Sequence, residues 1–232
     1  MIDLHSHILH NVDDGSKTID EAISLLNDAI SQGISVVVFT PHYEQFPTRM
    51  IVGRDINEQY ELLKQKIISE KLNIDTCMGA EVTFSEDILR FTKKLPTINN
   101  SRYLLLELDF YDYDVDIGEY IYELSLSGYQ VIIAHVERYI YTNYQYVEML
   151  VREGALIQIN AISLLSKDPN IKKLLFRLIK DNLVHFVASD VHSGRDNKML
   201  EAYQLVAKKI GKEKAEELFE INPRKVLLDE EI

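Results

Sequence analysis

The chain opens Met1-Ile2-Asp3-Leu4-His5-Ser6-His7, and far along it carries Ser189-Asp190-Val191-His192. Each is a short apolar stretch that ends in two potential metal ligands spaced i, i+2. In a strand those positions share a face. His5 and His7 are therefore placed to grip one ion together, and so are Asp190 and His192. Other ligand-type residues also follow apolar runs: His42 in Thr40-Pro41-His42, Glu81 in Met78-Gly79-Ala80-Glu81, Glu107 in Leu104-Leu105-Leu106-Glu107 and His135 in Ile132-Ile133-Ala134-His135. Asp13 and Asp14, in Val12-Asp13-Asp14-Gly15, add carboxylates after the first run.

The elements that must position them alternate strand and helix. Strands are expected over 2–5, 34–40, 74–80, 103–108, 130–134, 155–159 and 185–188. They are mostly continuous apolar runs, as parallel strands covered on both faces are. Helices are expected over 18–32, 55–71, 115–127, 143–153, 170–181, 197–210 and 212–220, with a turn near Pro223 and an extra helix over 82–95. The first helix puts Ile19, Ala22, Ile23, Leu26, Ala29 and Ile30 on one face, and Gly33 caps its end. Repeated βα units without a Gly-rich nucleotide motif favour a barrel of about seven units over an open nucleotide-binding sheet. Barrel active sites lie at the C-terminal ends of the strands, which is where nearly all the ligand-type residues fall.

Singly, each has a plain explanation. A histidine after a strand is usually a hydrogen-bonded loop residue, a glutamate after an apolar run a solvated strand end, and Asp13-Asp14-Gly15 a turn. Together they resist it. Burying Glu107 beside Leu104–Leu106 without a counter-charge would cost on the order of several kcal/mol, and a cluster of such groups at one barrel mouth calls for cations. Mixed nitrogen and oxygen donors suit Mn2+, Fe2+ or Zn2+ better than Ca2+.

The chain has 232 residues, 46% hydrophobic and 27% charged, with a formal net charge of −12. That length fits one domain spanning 1–232, with ample material for a core. The acidic balance disfavours bulk nucleic acid and anionic membrane as partners. The first residues show no basic stretch followed by an apolar one, so no signal peptide is expected, and no run approaches the ~18 apolar residues of a membrane span. Cys77 is the single cysteine, so no intramolecular disulfide forms, in keeping with a cytoplasmic protein. Cysteine phosphatases need C-x5-R, and the residue six beyond Cys77 is Thr83. His185, at the start of a strand, is expected at the far end of the barrel, and His10 in the first loop. Tyr139, Tyr141, Tyr144 and Tyr146 form an aromatic cluster expected to serve packing, with a substrate platform as the alternative. The loop around 43–52 is placed to shape access.

The motif set His5-Ser6-His7, Asp13-Asp14-Gly15, Thr40-Pro41-His42, Glu81, Glu107, His135-Val136-Glu137-Arg138 and Ser189-Asp190-Val191-His192 resembles the PHP (polymerase and histidinol phosphatase) superfamily. Within it the chain is similar, over essentially its whole length, to the CpsB/YwqE-type bacterial protein-tyrosine phosphatases. The resemblance implies a distorted (β/α)7 barrel of the PHP type with about three divalent ions, usually manganese. It implies His5, His7, Glu81 and Asp190 on one ion, Glu81 bridging to a second with Glu107 and His135, and Asp14, His42 and His192 on the third. Arg138, and Arg195 after a shortened loop, match arginines that face the phosphate. The implied substrate is the phosphorylated tyrosine tail of a bacterial tyrosine kinase that controls capsular or exopolysaccharide synthesis. Val136 and Tyr43 depart from the family's H-P-E-R and T-P-H-H without removing a ligand.

That ligand set has five neutral imidazoles and four carboxylates. About three divalent ions would turn its roughly −4 into roughly +2, which suits a phosphate dianion within an acidic protein. The expected chemistry is attack of metal-bound hydroxide on phosphorus, with Arg138 neutralising the equatorial oxygens. The alternatives are a small-molecule phosphoesterase such as a histidinol-phosphatase, an amidohydrolase or nuclease on the same frame, and a non-catalytic metal-binding or kinase-docking module.

Overall fold

The structure is a computed structural model that describes residues 1–43, 55–93, 95–111 and 116–232. Its strands are β1 (Ile2–Ser6), β2 (Val36–Phe39), β3 (His42–Tyr43), β4 (Asp75–Met78), β5 (Glu81–Thr83), β6 (Tyr103–Glu107), β7 (Gln130–Ile133), β8 (Leu156–Asn160) and β9 (Phe186–Ala188). All pairings between them are parallel. One sheet runs β1-β2-β4 and the other β3-β5-β6-β7-β8-β9. The second and third expected strands form as β2 and β4, and each is followed, after an interruption, by a short further strand that the sequence reading did not include, β3 and β5. Pro41 separates β2 from β3 and Gly79-Ala80 separates β4 from β5, so β4 pairs with β2 while β5 pairs with β6. The chain after β9 then meets β1: Asp190 N–H donates to His5 O at 2.9 Å and His7 N–H to Val191 O at 3.0 Å. The result is a curled, distorted barrel wall, as the alternating βα pattern predicts.

Helices α1 (Ile19–Ser31), α2 (Ile56–Glu70), α3 (Ile117–Leu126), α4 (Tyr144–Arg152), α5 (Ala161–Leu164), α6 (Pro169–Lys180), α7 (Met199–Lys209), α8 (Lys212–Glu216) and α9 (Asn222–Leu227) complete the described chain. Local chemistry sets their ends. The Thr18 hydroxyl accepts from Glu21 N–H, and Asp168 accepts from Asn170 N–H with Pro169 opening the helix. Alternate strand residues divide the core. Val37, Leu104, Leu106, Ile133, Ile157 and Val187 pack outward with helix residues such as Leu26, Leu124 and Leu178. Val38, Tyr103, Leu105, Ile132, Leu156 and Phe186 fill the interior.

Some expectations need correction. Residues 82–95 do not form one helix. Val82 pairs with Leu106 and Thr83 with Glu107 as strand, and only Ile88–Phe91 makes a short 3-10 turn. β-branched residues beside an existing edge favour pairing over helix here. The last helix does not run through 212–220: it passes into a π-turn over Glu217–Ile221, and the turn near Pro223 is α9. Most of the loop at 43–52, and Val115 at the start of the helix expected over 115–127, lie outside the described residues.

Candidate metal centre

The first βα loop is pressed against β1. A Cβ on Gly15 would lie 1.9 Å from His7 O, and Ser16 N–H donates to that same oxygen at 3.1 Å. Only glycine tolerates this approach, and it presents Asp13 and Asp14 to the strand ends. They take different parts. Asp13 Oδ2 lies 2.7 Å from His7 Nδ1 and accepts from His42 N–H at 3.2 Å. Asp14 Oδ1 instead faces His42 Nε2 at 3.4 Å and His192 Nε2 at 3.3 Å. Asp13 therefore orients an imidazole from behind, while Asp14 faces the cluster.

Glu81 is the hub. With its side chain 1% exposed, Oε2 lies 3.3 Å from His5 Nε2 and 3.1 Å from both His7 Nε2 and His42 Nδ1, and Oε1 lies 2.7 Å from His135 Nε2. Glu107 is less buried and stands 3.5 Å from His135 Nε2 and 3.9 Å from His42 Nδ1. His5 and His7 converge with their Nε2 atoms 3.1 Å apart. Asp190 Oδ1 lies 3.6 Å from His5, 3.7 Å from His7 and 3.5 Å from His192. Three groupings among the described residues bring ligand atoms within 4.8 Å of one another: His7, Asp14, His42 and His192; His5, His7 and Glu81; and His42, Glu81 and Glu107.

The backbone makes these approaches in ways that strand alternation alone does not give. β1 slips register between Asp3 and Ser6. Ile2 and Leu4 pack in the interior, yet the next residue, His5, also reaches inward to Gln158. Such a bulge re-aims the strand end. Asp190 and His192 are not in a strand at all, since β9 ends at Ala188. Asp190 has φ 50° and His135 φ 27°, left-handed conformations that cost about 1–3 kcal/mol each. Each strand end turns there to aim a side chain into the cluster. Asp3, buried, accepts from Ser189 N–H at 2.9 Å and from its hydroxyl, which ties β1 to the Asp190 turn.

Electrostatics follow the crowding. Burial pushes Glu81 up, but the His5 and His135 imidazoles overcome it and hold the carboxyl well below its usual range. Burial lowers His5 and His7, yet Glu81 with Asp190 raises the first, and Asp13 with Glu81 raises the second well above an ordinary imidazole. Glu107, desolvated and repelled by Glu81, is pushed up to about 7. Protons on these groups hold together carboxylates that would otherwise repel one another. Among the buried side-chain atoms of the described residues that have no hydrogen-bond partner is Asp190 Oδ1, which faces the His5 and His7 imidazoles. Such orphans are costly, and a divalent ion satisfies acidic and imidazole donors of this kind. The donor set fits such ions.

Two arginines converge from the rim. Arg138 Nη1 donates to Asp190 Oδ2 at 2.9 Å, and Arg195 Nη1 lies 3.7 Å from that oxygen. Both remain partly exposed, at 35% and 48%. The Arg138 guanidinium also covers the Phe110 ring at 4.8 Å, and Phe110 stacks on His135. Of the tyrosine cluster, Tyr139, Tyr141 and Tyr146 pack on one another, and Tyr139 O–H donates to Ala134 O at 2.8 Å. That accords with packing. His10 is buried but belongs to none of the three groupings. His185 N–H donates to Ile157 O just ahead of β9, away from the strand ends that carry the cluster.

The sixth expected strand, β8, carries no imidazole or carboxylate, yet it supports the cluster through two amides. Gln158 Oε1 accepts from His135 N–H at 2.8 Å and lies 3.1 Å from His5 Nδ1, while its amide nitrogen donates to Asn160 Oδ1 at 2.8 Å. Asn160 Nδ2 in turn donates to Asp190 Oδ2 at 2.7 Å, and Asn160 N–H to Glu137 Oε1 at 2.9 Å. The only signal available was Gln-x-Asn on the inward parity of an otherwise apolar strand. Partners of this kind fix ring orientation and tautomer in metal sites. Replacing Gln158 with Leu is expected to weaken metal affinity by about 10–100-fold while the protein stays folded; an unchanged metal titration would remove Gln158 from the site.

The curled parallel barrel with this buried nest at its mouth is a PHP-type fold. The family model described as "Capsular polysaccharide synthesis, CpsB/CapC" matches residues 1–228, and the chain belongs to that family. It is 34% identical over 245 residues to the tyrosine-protein phosphatase CpsB of Streptococcus pneumoniae, covering 99% of each chain. It is 32% identical over 222 residues to the tyrosine-protein phosphatase YwqE of Bacillus subtilis, covering 92% of this chain and 86% of that one. Among solved structures it matches one from a study of YwqE from Bacillus subtilis and CpsB from Streptococcus pneumoniae, described as unique metal-dependent tyrosine phosphatases. The TM-score is 0.89 at 30% identity, over 100% of this chain and 96% of the other. A histidinol phosphate phosphatase from Lactococcus lactis shares the fold, with a TM-score of 0.55 at 15% identity over 91% of this chain and 95% of that one.

Proposed function

We propose that this chain is a metal-dependent protein-tyrosine phosphatase of the cytoplasm. Its substrate is the phosphotyrosine tail of a bacterial tyrosine kinase that regulates capsular or exopolysaccharide synthesis, and manganese is its resident ion. The observation that carries the reading is Glu81, buried among four imidazoles with two arginines aimed at the neighbouring Asp190. Full-length similarity to phosphatases of tyrosine, rather than of small esters, supports the substrate class. His5, His7, Glu81 and Asp190 would hold one ion. Glu81, Glu107 and His135 would hold a second, and Asp14, His42 and His192 a third. Divalent ions there supply positive charge and lower the pKa of water.

The chain's own groups do the rest. Arg138 and Arg195 bind the non-bridging phosphate oxygens, where charge-assisted hydrogen bonds are strongest. Phe110 keeps the Arg138 guanidinium flat over its ring and so fixes its approach. The tyrosine leaving group has a pKa of about 10, so it departs with less need of a proton than an alkyl alcohol. The single thiol takes no part. Burial pushes Cys77 up to about 12, and it lies in β4 rather than among the clustered ligands. Cys77→Ser is expected to leave turnover within about twofold of the parent; a collapse would overturn the metal reading.

The test is hydrolysis of a phosphotyrosine peptide by protein loaded with Mn2+, and by the same protein after chelation with metal loss verified. Activity should vanish on chelation and return with Mn2+, and the peptide should be preferred to histidinol phosphate by roughly tenfold or more. Full activity in the stripped protein would sink the proposal.

A further inference from the structure

Net charge −12 makes the protein as a whole repel an anionic substrate. One outer face has the opposite sign. Between α6 and the C-terminal end of α7 runs a groove with a cavity volume of about 660 Å³, lined chiefly by Lys172, Lys173, Phe176, Arg177, Lys180 and Lys209, with Asp181 at one end. On α6, Lys172, Phe176 and Lys180 fall at i, i+4 and i+8, one ridge of the helix, and Lys173 and Arg177 form the next.

Only part of this charge is spent internally. Arg177 lies over the Tyr144 ring at 3.7 Å and pairs with Asp181 at 3.7 Å. Among the described residues, none of the four lysines is in an ion pair. Lys209 instead sits over the Phe176 ring, 4.4 Å from its centroid. The groove thus joins unneutralised ammonium groups to a half-buried aromatic floor and aliphatic lysine stems.

We infer that this groove is a docking site for an anionic peptide segment of the protein substrate, one that carries phosphotyrosine or acidic side chains elsewhere along the chain than the residue being hydrolysed. The inference rests on the phosphatase reading above. Charge complementarity selects an anion, since among the described residues the four lysines are in no ion pair while the chain as a whole carries a net charge of −12. The aromatic floor suits the ring of a second phosphotyrosine, and the lysines its phosphate. Shape selects a chain over a bilayer: a concave groove with its apolar residue at the bottom receives a strand of peptide, whereas membrane binding needs apolar side chains that project.

The experiment compares the parent holoenzyme with Lys172→Glu/Lys173→Glu/Lys180→Glu and with the milder Lys172→Gln/Lys173→Gln/Lys180→Gln. Two substrates are used: a peptide bearing three phosphotyrosines separated by short acidic spacers, and p-nitrophenyl phosphate. All three lysines project from a packed helix, and unchanged thermal unfolding would confirm that both variants fold. The charge-reversed protein should show a KM for the peptide raised about tenfold, the neutral one about threefold, with kcat and the small-substrate kinetics nearly constant. Raising NaCl should raise the peptide KM of the parent more than that of either variant. Equal peptide KM in all three proteins, or an equal loss on both substrates, overturns the proposal. So does loss of binding to phosphatidylglycerol vesicles with peptide kinetics unaffected, which would make the face a membrane surface. Fluorescence anisotropy with a non-hydrolysable phosphonate version of the peptide separates this inference from the one it rests on. If no protein hydrolyses either substrate, the phosphatase reading fails, and a Kd equal in parent and variants still refutes the groove.

Discussion

Glu81→Ala is expected to abolish activity, by about 10³-fold or more, equivalent to about 4 kcal/mol of lost barrier lowering, and to strip the protein of most of its metal. The reason is geometric. Both Glu81 oxygens are committed, with Oε1 beside His135 and Oε2 beside His5, His7 and His42. No other group described here touches so many of the clustered imidazoles. Alanine would remove the one carboxylate that all four rings share and leave Asp190 at 3.6 and 3.7 Å from His5 and His7 and Glu107 at 3.5 and 3.9 Å from His135 and His42 as separate, more distant counter-charges, so cations brought near the rings would lose the anion that joins them. Glu81→Asp is the informative companion. It keeps the charge but retreats by one methylene, so metal content should recover more than activity. The measurement is elemental analysis of metal per chain alongside phosphotyrosine hydrolysis. Full metal content with parental turnover in the alanine variant would show that the cluster is not organised around this residue.

Arg138→Ala should lower kcat/KM by about 10²-fold and leave the metal content unchanged. An arginine that binds equatorial oxygens gains strength as charge shifts in the transition state, so the loss falls on kcat/KM rather than on folding. The structure raises a competing expectation, because Arg138 is also paired with Asp190 at 2.9 Å. That pair does not hold Asp190 alone. Asn160 Nδ2 grips the same carboxylate oxygen at 2.7 Å, and Asp190 Oδ1 faces the imidazoles independently of either. Removing the guanidinium therefore frees one partner of an oxygen that keeps another. Arg138→Lys should restore part of the loss, since a point charge replaces a planar fork. Depleted metal in Arg138→Ala would reassign the residue from phosphate binding to holding Asp190 in place.

The chemistry of the site was legible wherever a local rule maps onto one place in a barrel. Residues after apolar strand runs lie at one end of the sheet, so His5, His7, His42, Glu81, Glu107 and His135 announced a shared mouth. The barrel class followed from strands and helices that alternate. Local rules gave less where two elements compete for the same residues. The segment beginning at Val82 had the apolar content of a helix, and an adjacent strand edge made it strand instead. The spacing of Asp190 and His192 predicts that they share an ion from one strand face, whereas the structure groups His192 with His7, Asp14 and His42 and leaves Asp190 3.5 Å from it. A turn with positive φ at Asp190 sets this arrangement, and strand alternation has no part in it.

By itself the sequence determined which imidazole and carboxylate side chains gather at the strand ends, because residue type and spacing along a strand or loop are properties of the linear chain. Only the tertiary structure decided that Asp14 and not Asp13 faces the cluster, that Gln158 and Asn160 hold His5 and Asp190 from a strand without ligands, and that lysines of α6 share a groove with Lys209 of α7. Each of these depends on contacts between residues far apart in the chain. The directions of those contacts come from barrel closure, a bulge in β1 and two left-handed turns, none of which leaves a periodic mark in the order of amino acids.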